Sequence, residues 1–399
     1  MPVKVLIVDD SGFFRHRIAD LLSSDRRIEV IGSASNGIEA VEKVKQLKPD
    51  VVTMDVEMPQ MNGIEAVRII MRENPTHVLM LSSLTHEGAR VTLDALDAGA
   101  VDFLSKDMRA WMDKNDSLKT QLCDKVVEIS RFRASSRRGL FAGRPGSEAA
   151  TGTTMVFRPQ QREKAVPLAA GKATSRPAPA ASVAPRGTNA PVSAPAPAHA
   201  VARPLRRPRV NCDLMVIGSS TGGPAALQQI LTQLPANFPY PILLVQHMPG
   251  TFTSVFAQRL NQQCAIEVRE ARDGDQIKPG LALLAPGGHQ MILDGRRSSR
   301  VRVLPGDERL TYKPSVDVTY GSSAKSHGSR VLALILTGMG ADGCEGAKML
   351  KRCGATVWAQ NKESSTIFGM PQAVINAGLA DEILDLQEIG PILSRMGAR

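Results

Sequence analysis

Apolar and polar positions along residues 1–134 switch repeatedly between strand-like and helix-like periods. Apolar runs with the length of buried strands occur at 3–8, 28–34, 50–54, 77–82 and 100–105. Segments with helical spacing follow them at about 11–24, 37–47, 62–73, 87–98 and 116–133. Strand–helix alternation with short connections predicts a flavodoxin-like, doubly wound five-stranded parallel sheet.

The same alternation returns over residues 210–399. Its apolar strand candidates are 213–218, 241–246, 281–286, 331–338 and 355–360. They predict a second, Rossmann-like α/β domain. Residues 289–304 are expected to form a hairpin that turns at Asp294-Gly295.

Residues 135–209 differ in composition from both flanking segments. They are rich in Pro and Ala and nearly free of large apolar side chains, which predicts a long disordered linker. The segment holds 13 Lys and Arg against two Glu, whereas the whole chain has a net charge of +10, so the rest carries about −1. Because neither flanking domain is basic, the charge does not indicate a nucleic-acid partner.

The remaining composition favours a cytoplasmic protein. No signal peptide precedes the first strand, and the longest apolar runs are too short to span a membrane, so no membrane insertion is expected. The five cysteines form no C-x-x-C pair, which suits reduced thiols and makes a zinc site improbable.

Acidic residues stand at two predicted strand ends in the N-terminal domain. Asp9 and Asp10 end the first strand, and Asp55 ends the third. Three converging carboxylates would repel one another without a hard cation, and oxygen ligands favour Mg²⁺. Ser82 and Lys106 end the fourth and fifth strands at the same predicted edge.

This pattern resembles the receiver domain of response regulators over about residues 1–125. The resemblance implies that Asp55 accepts a phosphoryl group from a histidine kinase, that Asp9, Asp10 and Asp55 bind Mg²⁺, and that Ser82 and Lys106 contact the phosphoryl group. Receivers usually have Pro after this Lys, whereas Asp107 stands here. A cis bond to a non-proline residue is costly, so we expect Lys106–Asp107 to be trans.

In the C-terminal domain, the stretch VIGSSTGGPAAL (216–227) runs from a strand into a helix through small residues. A P-loop would need Lys and Ser or Thr at Pro224 and Ala225, and a dinucleotide fingerprint would need Gly at Ser220. Gly218–Gly222 instead fits G-x-S-x-G, a turn that exposes a nucleophilic serine, with Ser220 at its centre and Ser219 as the nearby rival.

A nucleophilic serine needs a base and a group that orients it. His247 ends a predicted strand, whereas His289 and His327 read as ordinary surface residues. Asp342 follows a buried strand among glycines, while Asp294 and Asp317 have turn and helix-cap explanations. A structural role for His247 stays open on this evidence alone.

The motifs GSSTGG, QHMP, KPSVDV, ILTGMGADG and FGMPQAV occur in the order typical of the CheB family of chemotaxis methylesterases. This resemblance covers essentially all of 210–390. It implies Ser-His-Asp hydrolysis of glutamate γ-methyl esters, and deamidation of glutamines, on chemoreceptors, with no cofactor for this reaction. The implied roles are Ser220 as nucleophile, His247 as base, Asp342 as orienting acid, and the backbone of Thr221 and Met339 as oxyanion donors.

Two other classes of protein compete with this interpretation. A DNA-binding response regulator would need a compact basic helix-turn-helix after the linker, whereas the sequence predicts a large α/β domain. A catalytically silent adaptor or output regulator would keep the fold without the chemistry, and the presence of Ser220, His247 and Asp342 argues against it.

Overall fold

The structure of the chain is a computed structural model. It describes residues 1–112, 116–131, 211–295 and 298–396, and the linker predicted for 135–209 lies outside them. No helix in these described ranges is long and apolar enough to cross a bilayer.

The N-terminal sheet has five parallel strands, as predicted. They are β1 (Val3–Val8), β2 (Ile28–Ala34), β3 (Val51–Asp55), β4 (His77–Ser82) and β5 (Asp102–Ser105). Their order is β2-β1-β3-β4-β5. The winding reverses between β1 and β3, so a crevice opens at the carboxyl ends of these two strands.

The helices around this sheet begin at polar caps. They are α1 (Gly12–Ser23), α2 (Gly37–Leu47), α3 (Gly63–Glu73), α4 (His86–Asp97), α5 (Met108–Met112) and α6 (Asp116–Ser130). Side-chain oxygens of Ser11, Asn36, Asn62 and Thr85 accept backbone N–H bonds at the first four starts. These caps satisfy amides that have no partner within the helix.

Helix α5 was not predicted, because five residues are too few to show a helical period. Trp111 anchors it: the indole is fully buried, packs edge-on against Phe14, and donates to the Ser105 carbonyl at 2.9 Å. The preceding Lys106–Asp107 bond is trans, as predicted, since Lys313–Pro314 is the one cis peptide bond in the described ranges.

The C-terminal sheet has seven parallel strands in the order β14-β13-β12-β6-β7-β9-β8. They are β6 (Leu214–Ser219), β7 (Ile242–Gln246), β8 (Glu267–Glu270), β9 (Leu281–Leu284), β12 (Val331–Ile335), β13 (Thr356–Gln360) and β14 (Glu382–Leu384). The sequence pattern missed β8 and β14. Both are edge strands with few buried residues, so they lack the apolar run that marks the central strands.

Six helices pack on this sheet in the described part of the domain. They are α7 (Gly223–Leu231), α8 (Gly250–Gln263), α9 (Val316–His327), α10 (Cys344–Arg352), α11 (Met370–Asn376) and α12 (Leu386–Met396). Gly218 lets the start of α9 approach β6 closely, because a Cβ there would lie 2.4 Å from Val316 Cγ1. The N-terminus of α9 therefore lies beside the end of β6.

The predicted hairpin forms, but its tight turn does not. It consists of β10 (His289–Leu293) and β11 (Val301–Pro305), which pair antiparallel. The register joins Leu293 to Val301, so the connection is 294–300 rather than a turn at Asp294-Gly295. Ser298 supports the longer connection: its backbone N–H donates to Ser326 Oγ, and its hydroxyl donates to the Arg300 carbonyl.

Candidate functional site

The acidic residues predicted from strand ends meet in the crevice of the N-terminal sheet. One carboxylate oxygen each from Asp9, Asp10 and Asp55 lies within 4.8 Å of the others. Lys106 Nζ reaches the same place, 2.9 Å from Asp9 Oδ2 and 2.8 Å from Asp55 Oδ2. Four of the five predicted residues therefore come together.

Burial sets the electrostatics of this cluster. Desolvation raises the pKa of Asp55 to about 6 against the opposing charge of Lys106, and it raises the pKa of Asp9 as well. A single ammonium group therefore does not offset the burial of two carboxylates. The donor set is entirely oxygen, so these residues fit a hard divalent cation such as Mg²⁺.

Ser82 is the predicted member that does not face the cluster. Its hydroxyl is buried and bonds to α4 instead, donating to the Gly88 carbonyl at 3.2 Å and accepting from Thr92 Oγ1 at 2.6 Å. A contact between Ser82 and a phosphoryl group on Asp55 would require its side chain to rotate. Its role there stays a prediction.

The strand-to-helix turn of the C-terminal domain separates its two serines. Ser219 is fully buried, and its hydroxyl donates to Gln246 Oε1 at 2.7 Å. Ser220 is partly exposed at the end of β6 and lines a cleft of about 340 Å³. Its neighbour Gly338 must lack a side chain, because a Cβ there would lie 2.8 Å from Ser220 Cβ. The geometry makes Ser220 the accessible hydroxyl.

Gln246 is a positioning residue that the sequence reasoning missed. It is almost fully buried, and its amide nitrogen donates to the carbonyls of Ser220 at 2.9 Å and His247 at 3.2 Å. One side chain therefore fixes the backbone on both sides of the cleft. In the sequence, only the position of Gln246 in the QHMP motif points to this role.

His247 and Asp342 form a hydrogen-bonded pair at the cleft. His247 Nε2 lies 2.7 Å from Asp342 Oδ2, and only 10% of the imidazole side chain is exposed. The other ring nitrogen, Nδ1, is buried and has no hydrogen-bond partner among the described residues. The imidazole is therefore not bonded to Ser220 here, and bonds of this kind often tighten only when substrate binds.

The N-terminus of α9 holds Asp342 in its ionised form. Its carboxylate accepts from Ser315 Oγ at 2.9 Å and from the backbone N–H of Val316 at 2.7 Å and Asp317 at 3.0 Å. Burial alone would raise the pKa of Asp342, but the bonds from His247 and from this backbone bring it below its ordinary value.

Asp317 caps a helix, as expected, but not its own. Its Oδ1 accepts from Gly343 N at 2.9 Å and Gly346 N at 2.7 Å, at the start of α10. Asp342, which stands just before α10, therefore caps α9, and Asp317 in α9 caps α10. These reciprocal caps join the motifs KPSVDV and ILTGMGADG in the fold. Burial raises the pKa of Asp317 to about 6, and the nearby charge of Asp342 adds to that effect.

Two residues that line the cleft have backbone amides without a hydrogen-bond partner in the described ranges. Within the described residues, the N–H groups of Thr221 and Met339 donate no hydrogen bond, although Thr221 is 1% exposed. Met339 lines the same cleft as Ser220 and His247. These are the two amides predicted to hold an oxyanion. His327, which the sequence predicts at the surface, is half-buried.

The N-terminal domain covers this cleft. Asp102 Oδ2 accepts from Thr221 Oγ1 at 2.6 Å, and Lys125 Nζ bonds to both. Phe103 stacks on Phe252 with 4.3 Å between ring centroids. Residues 102–105 of β5 line the cleft from one side, so the domain lies directly against Ser220 and its neighbours.

A second set of contacts lies outside the cleft. Arg259 on α8 bonds to Asp94 at 2.6 Å and also to Asp97, both on α4. Ile367 packs within the apolar cluster of the N-terminal domain, where Met339 is also in contact. Polar and apolar contacts therefore both hold the two domains together.

A doubly wound sheet with a Lys-paired acidic crevice, joined to a parallel sheet with an exposed serine turn, defines a class: a receiver module coupled to a hydrolase-type α/β module. The model of the CheB methylesterase family matches residues 215–393, and that of the response regulator receiver domain matches residues 5–112.

Relatives match almost the whole chain. The protein-glutamate methylesterase/protein-glutamine glutaminase of group 1 operon from Pseudomonas putida is 55% identical over 98% of each chain. Protein-glutamate methylesterase/protein-glutamine glutaminase 1 of Vibrio cholerae is 50% identical over 98% of this chain and 97% of its own. The crystal structure of the Thermotoga maritima CheB methylesterase catalytic domain is 41% identical over 47% of this chain and 100% of its own, with a TM-score of 0.45. The chain belongs to the protein-glutamate methylesterase/protein-glutamine glutaminase family, which confirms the resemblance seen in its motifs.

Proposed function

We propose that the chain hydrolyses glutamate γ-methyl esters and deamidates glutamines on methyl-accepting chemoreceptors. The names of its relatives give both activities. The observation that carries the proposal is the His247–Asp342 pair, which shares a cleft with the accessible hydroxyl of Ser220. Ester and amide hydrolysis both need such a nucleophile, base and orienting acid.

In the acylation step, Ser220 Oγ attacks the γ-carbonyl carbon and its proton passes to His247 Nδ1. That nitrogen is the available base, since Nε2 is bonded to Asp342. The ionised Asp342 stabilises the imidazolium that forms. The amides of Thr221 and Met339 donate to the oxyanion, which they can do because no acceptor in the described part of the chain engages them.

The imidazolium then returns its proton to the leaving group. Methanol leaves from an ester and ammonia from an amide, so one acyl-enzyme serves both reactions. A water molecule attacks the acyl carbon while His247 takes its proton and passes it to Ser220 Oγ. The product in both cases is a free glutamate side chain.

Phosphorylation is proposed to control this activity. Asp55 would accept the phosphoryl group from the pathway's histidine kinase, with Lys106 and a rotated Ser82 as contacts. Asp9, Asp10 and Asp55 would hold Mg²⁺, whose charge would admit a phosphoanion to an acidic crevice. The proposed division of the chain is receiver 1–134, linker 135–209 and catalytic domain 210–399.

The control would act by occlusion. Supporting this, the receiver places Asp102 against Thr221, which lines the cleft, and Phe103 against the buried Phe252. While β5 lines that cleft, a receptor helix would have restricted access to Ser220. Phosphorylation would weaken the contact, and a shift of a few kcal/mol is enough to reverse a two-state balance.

The activity is tested with membranes that carry chemoreceptors labelled on the ester methyl group. The full chain should release labelled methanol and leave free glutamate, and release should rise with phosphodonor and Mg²⁺. Membranes with glutamine at the same receptor positions should release ammonia. The proposed function would be overturned if the ester substrate released no methanol and the glutamine substrate released no ammonia.

A further inference from the structure

The ring of Tyr312 lies flat on the imidazole of His247. Their centroids are 4.2 Å apart and their planes differ by 5°. Tyr312 is half-buried and lines the same cleft as Ser220. The hydrolytic mechanism above gives Tyr312 no role, although it is the aromatic neighbour of the proposed base.

The loop that carries Tyr312 is fixed to the site at two points. The buried Gln290 on β10 donates from Nε2 to the Tyr312 carbonyl at 2.8 Å and accepts from Ser315 N at 2.8 Å. Ser315 in turn donates its hydroxyl to Asp342 at 2.9 Å. The tyrosine and the acid that orients His247 are therefore parts of one hydrogen-bonded segment.

The far end of the ring rests on glycine. A Cβ at Gly340 would lie 2.8 Å from the Tyr312 hydroxyl, and Gly340 has a φ of +88°, which disfavours a side chain. Among the described residues the hydroxyl makes no hydrogen bond. The position of the ring thus depends on its hydrogen-bonded backbone and on the room left by the missing side chain of Gly340, and not on a hydrogen bond of the hydroxyl.

We propose that Tyr312 is a positioning residue, which acts through His247. Its ring fixes the plane of the imidazole and so the position of Nδ1, and its π face stabilises the imidazolium formed in each step. Stacked rings and cations over an aromatic face are both favourable, and they act most strongly where water is excluded. This inference rests on the proposed function, because it assigns the imidazolium to a hydrolytic step.

The decisive variants are Tyr312→Phe and Tyr312→Leu in the full chain. Phe keeps the ring, whereas Leu keeps apolar bulk without it. Leu should lower kcat for ester hydrolysis about tenfold with KM changed less than about twofold, because the imidazolium exists only after substrate is bound. Phe should restore kcat to near the unaltered value. Leu310→Ala, an exposed position on the same loop, serves as the control for disturbance of the loop.

A second measurement reports the stack without any substrate. In chain labelled with isotopes at histidine, the imidazole protons of His247 are assigned through loss of their signal in His247→Gln. The face of an aromatic ring shields them, so they should lie upfield in the unaltered chain and in the Phe variant, and move downfield in the Leu variant.

Three results would overturn the inference. They are an unchanged kcat in the Leu variant, an equal loss in the Phe variant, and imidazole protons that do not move on substitution by Leu. Failure of the proposed function looks different: the unaltered chain would release no methanol, while the proton shift of the Leu variant would still report the stack.

Discussion

The two sheets place aspartates at the carboxyl ends of parallel strands, but they treat these carboxylates in opposite ways. In the receiver, burial raises the pKa of Asp55 to about 6, and one lysine is shared between two acids. In the catalytic domain, Asp342 accepts three hydrogen bonds from the start of α9 and one from His247, and its pKa falls below the ordinary value. The same topology therefore supports a receiver site with too little positive charge for its carboxylates, and a catalytic site whose carboxylate is fully hydrogen-bonded.

The difference lies in what each site receives. The receiver crevice has one lysine for its three carboxylates, so its charge suits the proposed cation and phosphoryl group. Asp342 already has its hydrogen-bond donors in place, so it can hold an imidazole in one orientation without reorganising during the reaction. Strand topology locates a site, whereas the local supply of donors decides what it does.

The largest expected effect is the loss of hydrolysis in Ser220→Ala. It should lower kcat by about 10⁶-fold, because members of such a triad act as a unit. Ser219→Ala is the matched control: it removes a buried hydroxyl bonded to Gln246 and should keep most activity. Methanol release measures both, and phosphoryl uptake at Asp55 should be normal in each. The reverse ranking of the two serines would refute the assignment of the nucleophile.

The next effect is that of Asp342→Asn. An amide cannot hold the imidazole in the tautomer that leaves Nδ1 free, so kcat should fall by about 10⁴-fold. The fold should persist, because the amide oxygen of Asn can still accept from Ser315 Oγ and from the backbone N–H of Asp317, although the bond from Val316 N is lost. Steady-state kinetics with a labelled ester, together with a circular dichroism spectrum, checks this. A fall of less than about tenfold would mean that Asp342 only packs against His247.

Asp55→Asn tests the acidic crevice of the receiver. It should abolish formation of an acyl phosphate from a small-molecule phosphodonor, and removing Mg²⁺ by chelation should do the same to the unaltered chain. Asp50→Asn, an exposed position just before β3, is the control. Unstimulated methanol release should be the same in all three chains. Undiminished base-labile, acyl-phosphate labelling of the Asn variant would show that Asp55 is not the acceptor.

A smaller effect is expected from Arg259→Ala, which removes the two ion pairs between α8 and α4. Unphosphorylated full-length protein should hydrolyse receptor esters about two- to tenfold faster, since weakening the contact by about 1 kcal/mol shifts the closed population. Arg27→Ala also removes two ion pairs, but within the receiver, and should leave the rate unchanged. An identical rate in both variants would favour phosphorylation acting by recruitment rather than by occlusion.

The smallest effect concerns Asp317, whose pKa is raised to about 6 by burial. A carboxyl with a raised folded-state pKa contributes stability that is complete below its unfolded pKa and is lost as the pH rises through about 6. Asp317→Asn keeps the acceptor for α10 without the charge. It should raise the melting temperature by about 2–4 °C at about pH 7.5, for a difference on the order of 1 kcal/mol, and give no gain near pH 4. Asp294→Asn, an exposed carboxyl, should show no such dependence, and a gain that is equal at both pH values would contradict the role of burial.

Much of the fold follows from local patterns. Long buried strands such as β3 and β4 lie within a residue or two of their predicted bounds, because a continuous apolar run has few alternatives. The edge strands β8 and β14 were missed since a strand with one neighbour needs little apolar surface. Helix α5 was missed because a single buried tryptophan holds it, and one residue has no period.

The sequence by itself determined the central strands of both sheets, the family and the residue types of both sites, because periodicity, turn chemistry and ordered motifs are all local properties of the chain. Only the tertiary structure decided which groups meet. Ser219 is bonded to Gln246, Ser82 faces α4, Asp317 caps a helix 26 residues further on, and Tyr312 lies on His247. These relations depend on packing between elements distant in sequence. No local sequence pattern predicts these contacts, since neither partner has a distinguishing sequence feature before the fold brings the two together.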